Sequence, residues 1–381
     1  MAYSFETQCV HGGEERTWRD GERSVSTPIY QSATFFHTQI GHGQFNYTRQ
    51  DNPTRLHLEE TVAALEGGAD AIAFASGMAA IAAVFELFRP GDHIIVSEDL
   101  YGGTTRLFNN VSAKNGLLVE FVDTCDAEKI RNAVRPETKA IYVETPSNPM
   151  MNVTDLREAR RIAAAANALL IVDNTFMTPY FQKPLTLGAD LVVHSGTKFL
   201  AGHNDTICGF VVAATKQLGE DVRLIGKTTG GMLSPFDSWL VERGIKTLAV
   251  RLEREQETAL KLARALQENP HVKKVYYVGL PEHPGYAVNK GQTTGFGAML
   301  SIRTDSEETA LRALRKVRLI TFAESLGGTE SLITYPLTQT HDSVPEEQRM
   351  RLGIDGSLLR LSVGLEDARD LLADIEQALE E

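Results

Sequence analysis

The chain has 381 residues, of which 42% are hydrophobic and 23% are charged, and its formal net charge is -12 at pH 7. This is the composition of a globular protein that is long enough to form two domains without disulfide crosslinks. The negative net charge argues against generic binding to nucleic acid or to anionic membranes, because both require a basic surface.

Residues 1–55 are polar, rich in turn-forming residues and without clear periodicity. A long segment that has no core of its own often lies on a partner, so we interpret 1–55 as an N-terminal arm that contacts a neighbouring subunit. The first periodic segment follows this arm. Leu58, Val62 and Leu65 lie at helical spacing, and Gly67 ends the predicted helix.

Short apolar runs alternate with helical patterns from this helix to about residue 240. The runs are 71–75, 94–97, 117–122, 140–144, 169–173, 191–194 and 210–214. Continuously apolar strands that alternate with helices predict a mostly parallel sheet with helices on both faces. We therefore predict a large α/β domain over residues 56–240, which ends at Gly230, Gly231 and Pro235.

The remaining residues, 241–381, predict a smaller α+β domain. A long helical pattern covers about 241–268, and a second helix closes the chain. The closing helix should bury one face, formed by Ala368, Leu372, Ile375 and Leu379. Strand candidates between the two helices lie at 274–278, 297–302, 319–323 and 359–363.

Polar groups follow four of the predicted strands at the point where each strand ends. In open α/β sheets, ligands bind just beyond the carboxyl ends of the strands. Ser76-Gly77-Met78 follows 71–75 and opens a helix, Asn148 follows 140–144, Asp173 ends the run that starts at 169, and Ser195-Gly196-Thr197-Lys198 follows 191–194. One edge of the sheet therefore combines a helix N-terminus, an amide, a carboxylate, two hydroxyls and an amine.

This combination suits pyridoxal 5'-phosphate (PLP). A phosphate binds backbone N–H groups at a helix N-terminus together with hydroxyls, which Gly77, Met78, Ser195 and Thr197 could supply. The Asp173 carboxylate could pair with the pyridinium nitrogen, whose positive charge makes the ring an electron sink. Lys198 could form a Schiff base with the aldehyde, and Tyr101, after the strand at 94–97, could cover the ring.

Several motifs of the chain resemble those of the Cys/Met-metabolism PLP enzymes. These motifs lie at 46–55, 75–78, 99–104, 144–149, 172–175, 194–198 and 323–331. The family includes cystathionine γ-synthase, γ-lyase and β-lyase, methionine γ-lyase and homoserine sulfhydrylases, and the resemblance covers essentially the whole chain in order. It implies the PLP-dependent transferase fold of type I, which is like that of aspartate aminotransferase, and a homotetramer built from two active dimers.

The resemblance also implies roles for individual residues. Tyr47 and Arg49 would reach across to the cofactor phosphate of the neighbouring subunit, and Asn148 would contact the phenolic oxygen of the cofactor. Ser325 and Arg360 would hold the α-carboxylate of the substrate, for which a bidentate guanidinium is well suited. Lys198, once released from the cofactor, would take the α-proton, and Tyr101 would act as an acid/base partner.

Other residues bear on which reaction the family resemblance implies. Glu324 resembles the γ-synthases and γ-lyases, since β-lyases commonly carry an apolar or aromatic residue there. Its carboxylate could bind the distal ammonium of cystathionine or of the incoming cysteine. Arg106, with Arg55, could meet a distal carboxylate, and Gly103 replaces the cysteine of methionine γ-lyases.

We favour a cystathionine γ-synthase, which joins an O-acylhomoserine and cysteine, because 202–205 and 333–341 resemble bacterial γ-synthases. The alternative is a cystathionine γ-lyase, which yields cysteine, 2-oxobutyrate and ammonia, followed by a cystathionine β-lyase or a methionine γ-lyase. Two other classes stay open, namely aminotransfer on the same fold and a catalytically silent scaffold. Intact Lys198, Asp173 and Tyr101 argue against the scaffold.

The cysteines, the histidines and the apolar segments indicate where the protein is located and what it binds. Cys9, Cys125 and Cys208 lie far apart and form no CxxC pair, which favours a reducing cytoplasm. The histidines show no paired ligand spacing, so we expect no metal site. No apolar stretch approaches the roughly 20 residues that span a bilayer, and the N-terminus does not resemble a signal peptide. We expect small amino-acid substrates and no nucleic-acid or membrane partner.

Overall fold

The computed structural model describes residues 3–12, 24–40, 43, 45–342 and 344–380. Parts of the predicted N-terminal arm therefore lie outside the described residues. The α-helices are α1 (Phe5–His11), α2 (Pro53–Glu66), α3 (Gly77–Phe85), α4 (Gly102–Leu107), α5 (Ala127–Ala133), α6 (Leu156–Ala165), α7 (Thr178–Phe181), α8 (Lys216–Thr229), α9 (Pro235–Ile245), α10 (Leu248–Gln267), α11 (Tyr286–Gln292), α12 (Glu307–Lys316), α13 (Glu346–Leu352) and α14 (Ala368–Leu379).

Two β-sheets lie between these helices. The first contains β1 (Asp70–Phe74), β2 (His93–Ser97), β3 (Leu118–Val122), β4 (Thr138–Glu144), β5 (Leu169–Asp173), β6 (Leu191–His194) and β7 (Gly209–Ala213). The second contains β8 (Val272–Tyr276), β9 (Met299–Thr304), β10 (Thr321–Phe322), β11 (Leu332–Thr334) and β12 (Leu358–Ser362). The sheets fall on either side of residue 240, although the division of the chain into domains at 55 and 240 stays a prediction.

The first sheet is mixed and mostly parallel, as predicted. Its strand order is β1-β7-β6-β5-β4-β2-β3, and β2 to β6 pair in parallel while β7 is antiparallel to both of its neighbours. Successive residues of the central strands join different hydrophobic clusters: Val143 and Val172 pack on one face, and Tyr142 and Ile171 pack on the other. Burial of both faces explains why these strands appear in the sequence as continuous apolar runs.

The second sheet is mostly antiparallel, with the order β10-β11-β12-β9-β8, which matches the predicted α+β character. Its core residues Leu300 and Leu361 belong to the same hydrophobic cluster as Val172 of the first sheet. The two sheets therefore share one continuous core, and residues of the second sheet can reach the carboxyl ends of the strands in the first.

Local sequence explains the start and end of α2. Asn52 caps the helix by accepting hydrogen bonds from the N–H groups of Thr54 and Arg55, and Pro53 occupies the first turn, where its missing N–H costs nothing. Gly67 ends the helix with a φ of +75°, a conformation that glycine adopts without strain. In the described part of the chain, no helix is long and apolar enough to cross a membrane.

The buried face of α14 differs from the prediction. Ile375 and Leu379 are buried as expected, and Leu372 is partly buried against the core, but Leu371 and Asp374 are more deeply buried than Leu372. The carboxylate of Asp374 accepts hydrogen bonds from three successive backbone N–H groups, those of residues 318–320. A polar residue thus lies on the buried face of α14, because its carboxylate accepts the hydrogen bonds of the loop at 318–320. A prediction based on apolar residues alone cannot identify such a residue.

Candidate active site

A cavity of about 240 Å³ lies at the carboxyl ends of β4, β5 and β6, between the two sheets. The register of the sheet brings this edge together, since Glu144 pairs with Asp173 and Asp173 pairs with Val193. The sequence-predicted residues that line the cavity are Gly77, Met78, Tyr101, Asn148, Asp173, Ser195, Thr197, Lys198, Glu324, Ser325 and Arg360.

Lys198 is the amine of this cavity. Its Nζ donates a hydrogen bond to Ser325 Oγ at 3.0 Å. Burial and the nearby Arg360 guanidinium lower the pKa of Lys198 to about 8, an effect that Glu324 partly offsets. Because an amine attacks a carbonyl only in its neutral form, this environment favours reaction of Lys198 with an aldehyde near neutral pH.

We expect the apoprotein to capture PLP at a rate that rises with pH through about 8 and levels off above it, following the neutral fraction of Lys198. Arg360→Met removes a like charge, so the midpoint should move to higher pH. Glu324→Gln removes an opposite charge, so the midpoint should move to lower pH. Stopped-flow absorbance measures the rate, and a midpoint that stays constant in both variants would contradict the proposed environment of Lys198.

Asp173 is the buried carboxylate at the end of β5. Its Oδ1 accepts hydrogen bonds from the Thr175 backbone N–H at 3.0 Å and from Thr175 Oγ1 at 2.6 Å, and Tyr142 donates to its Oδ2 at 3.2 Å. Burial raises the pKa of Asp173, while the hydrogen bonds from Thr175 act in the opposite direction. A cation placed beside Asp173 would favour its charged form, which suits a partner for a protonated ring nitrogen.

The N-terminus of α3 forms one wall of the cavity. Ser76 caps the helix by accepting from the Ala79 N–H, and the first-turn N–H groups of Gly77 and Met78 have no partner within a helix. A Cβ atom at position 77 would lie only 3.0 Å from the Ser195 Cβ, so glycine lets the helix start approach the loop that carries Lys198. This corner can bind an anion such as phosphate.

Thr197 lines the same corner, but its hydroxyl is already engaged. The hydroxyl donates to the Cys208 carbonyl at 3.1 Å and accepts from the Cys208 N–H at 2.9 Å. The predicted donation from Thr197 to a phosphate would therefore require its proton to be redirected from Cys208.

Tyr101 precedes α4, and its ring occupies space that Gly103 leaves open. A Cβ atom at position 103 would lie 2.5 Å from Cε1 of the Tyr101 ring, so any larger residue there would displace the ring. Burial and the negative charge of Glu324 raise the pKa of the Tyr101 hydroxyl, and Arg106 and Arg360 lower it. Gly103 is thus a packing requirement for this position of Tyr101.

Arg360 is fully buried on β12, which excludes its interpretation as an exposed strand charge. Its Nη1 donates to Asn148 Oδ1 at 2.8 Å, and its Nη2 donates to the Ser325 carbonyl at 2.9 Å and to Thr334 Oγ1 at 3.1 Å. Its Nε is buried without a hydrogen-bond partner among the described residues. Burial lowers the pKa of Arg360 to about 10. Because this pKa is still well above neutral pH, the guanidinium in the cavity stays positively charged, and its Nε can donate a further hydrogen bond.

The structure does not bring four predicted residues to this cavity. Arg55 is buried elsewhere, where its guanidinium donates to the carbonyls of Thr48, Gln50 and Leu233, so this placement argues against the predicted contact with a distal carboxylate. Arg106 lies on the exposed side of α4 and acts on Tyr101 only through its charge. The other two, Tyr47 and Arg49, also lie outside the cavity of their own chain.

The cavity also contains residues to which the sequence analysis gave no role. These are Ser76, Ile81, Glu144, Thr175, Phe176, Ile207, Leu326 and Thr340. Glu144 ends a predicted strand and Thr175 lies just after one, so the end-of-strand rule could have found them. Thr340 lies in a long turn that no pattern connects to the site.

A wider, open space of about 890 Å³ adjoins the cavity and shares Lys198 and Glu324 with it. Asp205 and Asp237 also line this space. The three carboxylates give the outer part of the site an acidic character, in contrast to the guanidinium of Arg360 inside.

The residues present fit PLP. The glycine at position 77 lets the backbone donors at the start of α3 lie beside Ser195, where they can bind a phosphate, and Lys198 and Asp173 supply the amine and the carboxylate that the aldehyde and the ring nitrogen require. An α/β protein of this topology, with an activated lysine at the edge of its parallel strands, belongs to the class of fold-type-I PLP enzymes. Among the described residues, no cluster of histidine, cysteine and carboxylate side chains could hold a metal ion.

The family within this class follows from the comparison with known sequences. A model of the Cys/Met metabolism PLP-dependent enzymes matches residues 6–380, and the chain belongs to this family. It is therefore a PLP-dependent enzyme of trans-sulfuration, the group of reactions that make and break C–S bonds in sulfur amino acids.

Relatives with different reactions are similar to this chain to nearly the same degree. A cystathionine γ-lyase of Bacillus subtilis is 50% identical, with 98% of each chain covered. A cystathionine β-lyase of Lactococcus lactis subsp. cremoris is 47% identical, with 99% of each chain covered. The solved structure of a cystathionine γ-synthase from Xanthomonas oryzae pv. oryzae, in complex with aminoacrylate and cysteine, aligns with a TM-score of 0.96 at 40% identity and covers 100% of this chain and 98% of that one.

Proposed function

We propose that this enzyme acts at the γ-carbon of cystathionine-type substrates and forms cystathionine from an O-acylhomoserine and cysteine. The observation that carries the proposal is the position of Glu324, which lies between the inner cavity and the acidic outer space. A substrate whose α-carboxylate binds Arg360 would extend its far end toward Glu324, where an ammonium group would be stabilised. Cystathionine and cysteine both carry such an ammonium.

Each residue has a defined task in this proposal. Arg360 would bind the α-carboxylate through its free donor capacity, supported by Ser325 and Asn148. PLP, when bound, would supply the electron sink that stabilises negative charge at the α- and β-carbons. Asp173 would hold the positive charge of the ring nitrogen, and Lys198 would move a proton at the α-carbon with its Nζ.

Lys198 and Tyr101 divide the remaining proton transfers. Lys198 Nζ lies beside Ser325, on the side where the substrate carboxylate would bind, which suits transfer at the α- and β-carbons. The raised pKa of Tyr101 keeps its hydroxyl protonated in the resting site. Tyr101 would therefore donate a proton to the group that leaves the γ-carbon.

The second candidate is cystathionine γ-lyase, which the similarity to the Bacillus subtilis enzyme favours. The two reactions share every step up to departure of the γ-substituent and differ in whether a thiol or water completes the reaction. The residues described above serve both reactions. The choice depends on how well the acidic outer space retains the incoming cysteine.

A paired assay on the purified PLP-loaded enzyme tests the proposal. One reaction contains cystathionine alone, and the other contains O-acetyl- or O-succinylhomoserine with cysteine. New cystathionine in the second with little 2-oxobutyrate in the first supports the synthase. Rapid 2-oxobutyrate from cystathionine identifies a γ-lyase, and pyruvate identifies a β-lyase and overturns the assignment to the γ-carbon.

Glu324→Gln should reduce kcat/KM up to about fivefold for cystathionine and less for a small amino acid without a distal ammonium. The expected size reflects one charge interaction at an exposed position, worth up to about 1 kcal/mol. Steady-state kinetics on both substrates provide the test. Equal losses on the two would remove Glu324 from the recognition of the distal group, and Glu330→Gln, on the exposed loop beside Asn204, serves as a control.

We further propose that the N-terminal arm completes the active site of a neighbouring subunit. Tyr47 is about half exposed and lies outside its own cavity, and Arg49 stacks over its ring with 5.6 Å between the guanidinium carbon and the ring centroid. Other arm residues, among them Val25, Phe36 and Ile40, expose large apolar side chains. Such a surface is typical of a segment that a second copy covers.

Mixing two inactive variants should restore activity if the arm acts across subunits. In a hybrid of Lys198→Ala and Arg49→Ala subunits, one site has both residues intact, so random reassociation should recover about a quarter of the sites. Activity is measured after joint dissociation and reassociation of the two proteins. Absence of recovery, with hybrids shown by native mass spectrometry, would place Arg49 outside the partner's site.

The cytoplasm remains the proposed location. The absence of paired cysteines among Cys9, Cys125 and Cys208 agrees with a reducing compartment, and these cysteines are free in the structure.

A further inference from the structure

Glu144 is the last residue of β4 and lies beside Asp173, its partner in the sheet register. Its side chain is buried and lines the cavity. None of the proposed tasks uses Glu144, although a second carboxylate next to Asp173 is costly to bury. A buried charge of this kind is retained where hydrogen bonds compensate it.

Both carboxylate oxygens of Glu144 accept a backbone hydrogen bond. Oε2 accepts from the N–H of Tyr101 at 3.1 Å, and Oε1 accepts from the N–H of Asn148 at 3.0 Å. A carboxyl group can accept at both oxygens, whereas an amide in its place would turn its NH₂ group toward one of the two N–H groups. Glu144 thus connects Tyr101, which is proposed to cover the cofactor ring, with Asn148, which contacts Arg360.

A second buried carboxylate joins the same two segments. Asp99 Oδ2 accepts hydrogen bonds from Ser147 Oγ and, at 3.2 Å, from Asn152 Nδ2. Ser147 Oγ also accepts from the Asn152 N–H at 3.0 Å. The loop that ends at Tyr101 and the loop that carries Asn148 are therefore connected twice, once at the cavity and once beneath it.

The connection continues to the guanidinium in the cavity. Asn148 Oδ1 accepts from Arg360 Nη1 at 2.8 Å, so a displacement of the Asn148 backbone would also displace the partner of Arg360. Burial and the neighbouring Asp173 raise the pKa of Glu144, while its two backbone hydrogen bonds oppose that rise. The positions of Tyr101 and of the Asn148–Arg360 pair thus both depend on the side chain of Glu144.

We propose that Glu144 is a positioning residue that fixes Tyr101 and Asn148 relative to each other, and through them sets the binding of both cofactor and substrate carboxylate. This inference rests on the roles proposed above for Tyr101 and Asn148. Glu144 itself needs no contact with the reacting atoms. Its effect is transmitted through two backbone N–H groups.

Glu144→Gln tests the proposal, because it preserves size while placing an NH₂ group against one backbone N–H. Displacement of reacting groups by about 1 Å can lower the rate about 100-fold, so kcat/KM should fall by about that factor. The KM for the amino-acid substrate and the Kd of the apoenzyme for PLP should both rise, the Kd about tenfold, which corresponds to a loss of about 1.4 kcal/mol. Equilibrium dialysis measures the Kd independently of activity.

Asp374→Asn is the matched control. Asp374 is also a buried carboxylate that accepts backbone N–H groups of a loop, but it lies on α14 away from the cavity. Its replacement should lower the thermal unfolding temperature while the KM and the Kd for PLP stay unchanged. Glu144→Asp keeps two acceptors on a shorter side chain and should recover part of the loss caused by Glu144→Gln.

The outcomes separate this inference from the proposed function. If Glu144→Gln resembles Asp374→Asn, with stability lowered and KM and Kd unchanged, the positioning role is overturned. If Tyr101→Ala and Asn148→Ala also leave KM and Kd unchanged, the roles proposed for those residues fail as well. Should Glu144→Gln not accumulate as folded protein, Glu144→Asp and Asp99→Asn are compared with Asp374→Asn, and unchanged KM and Kd in both overturn the inference.

Discussion

Lys198→Ala should lower kcat by about 10⁴-fold at saturating PLP. Lys198 is the amine whose pKa burial and Arg360 lower to about 8, and it is the cavity residue that combines a neutral form near physiological pH with a position beside Ser325. The variant should still bind PLP weakly, since the helix N-terminus of α3 and Asp173 remain in place. Turnover and equilibrium dialysis of PLP measure the two effects separately.

The control for this prediction is Lys114→Ala, which removes an exposed lysine and should leave kcat unchanged. A small amine such as methylamine should restore part of the activity of Lys198→Ala, because it supplies the missing base in the space that the side chain leaves. Turnover of Lys198→Ala within tenfold of the parent enzyme would refute the assignment of Lys198 as the cofactor lysine.

Arg360→Lys should raise the KM for amino-acid substrates by about 10³-fold. The guanidinium makes three hydrogen bonds, to Asn148, Ser325 and Thr334, and a lysine ammonium cannot reproduce that planar arrangement or bind a carboxylate with two parallel bonds. A hydrogen bond that involves a charged group contributes about 1.5–3 kcal/mol, so the loss of two such bonds corresponds to this loss of affinity. Steady-state kinetics on the preferred substrate measure the effect.

Arg303→Lys is a suitable control, because Arg303 lies on the adjacent strand β9 and bonds Asp355 and Ser357 outside the cavity. That change should affect stability and leave KM unchanged. For an amine that lacks the α-carboxylate, the Arg360→Lys variant and the parent enzyme should have the same affinity. An equal loss for the amine and the amino acid would show that Arg360 acts on the cofactor and not on the carboxylate.

The central strands could be predicted closely because their sequences determine their length. The runs 169–173 and 191–194 coincide with β5 and β6, since both faces of these strands are buried and every residue is apolar until the strand ends. The strands of the second sheet were predicted less accurately. No strand was predicted at β11, because it has only three residues, Leu332–Thr334, and a strand this short has no recognisable period.

Sequence reasoning grouped the cavity residues well where polar side chains follow a strand end, although their roles stay predictions. Asp173 and Lys198 came together because parallel strands align their carboxyl ends at one edge of the sheet. Arg55 was placed wrongly, because a sequence does not show that backbone carbonyls from residues 48 and 233 surround its guanidinium. The end-of-strand rule could have found Glu144 itself, but not its contacts, because its partners are backbone N–H groups that only the folded chain brings near.

The two walls of the cavity come from different parts of the chain, and this separation bears on how the enzyme could diversify. The first sheet carries the residues proposed to hold the cofactor, whereas Glu324, Ser325 and Arg360 come from the segments around the second. Substitutions confined to 323–341 could therefore change which substrate is preferred, while the residues proposed to hold the cofactor stay unchanged. A cystathionine γ-lyase, a β-lyase and a γ-synthase are all similar to this chain over nearly its whole length. A mutant library aimed at new thiol products should begin with that segment.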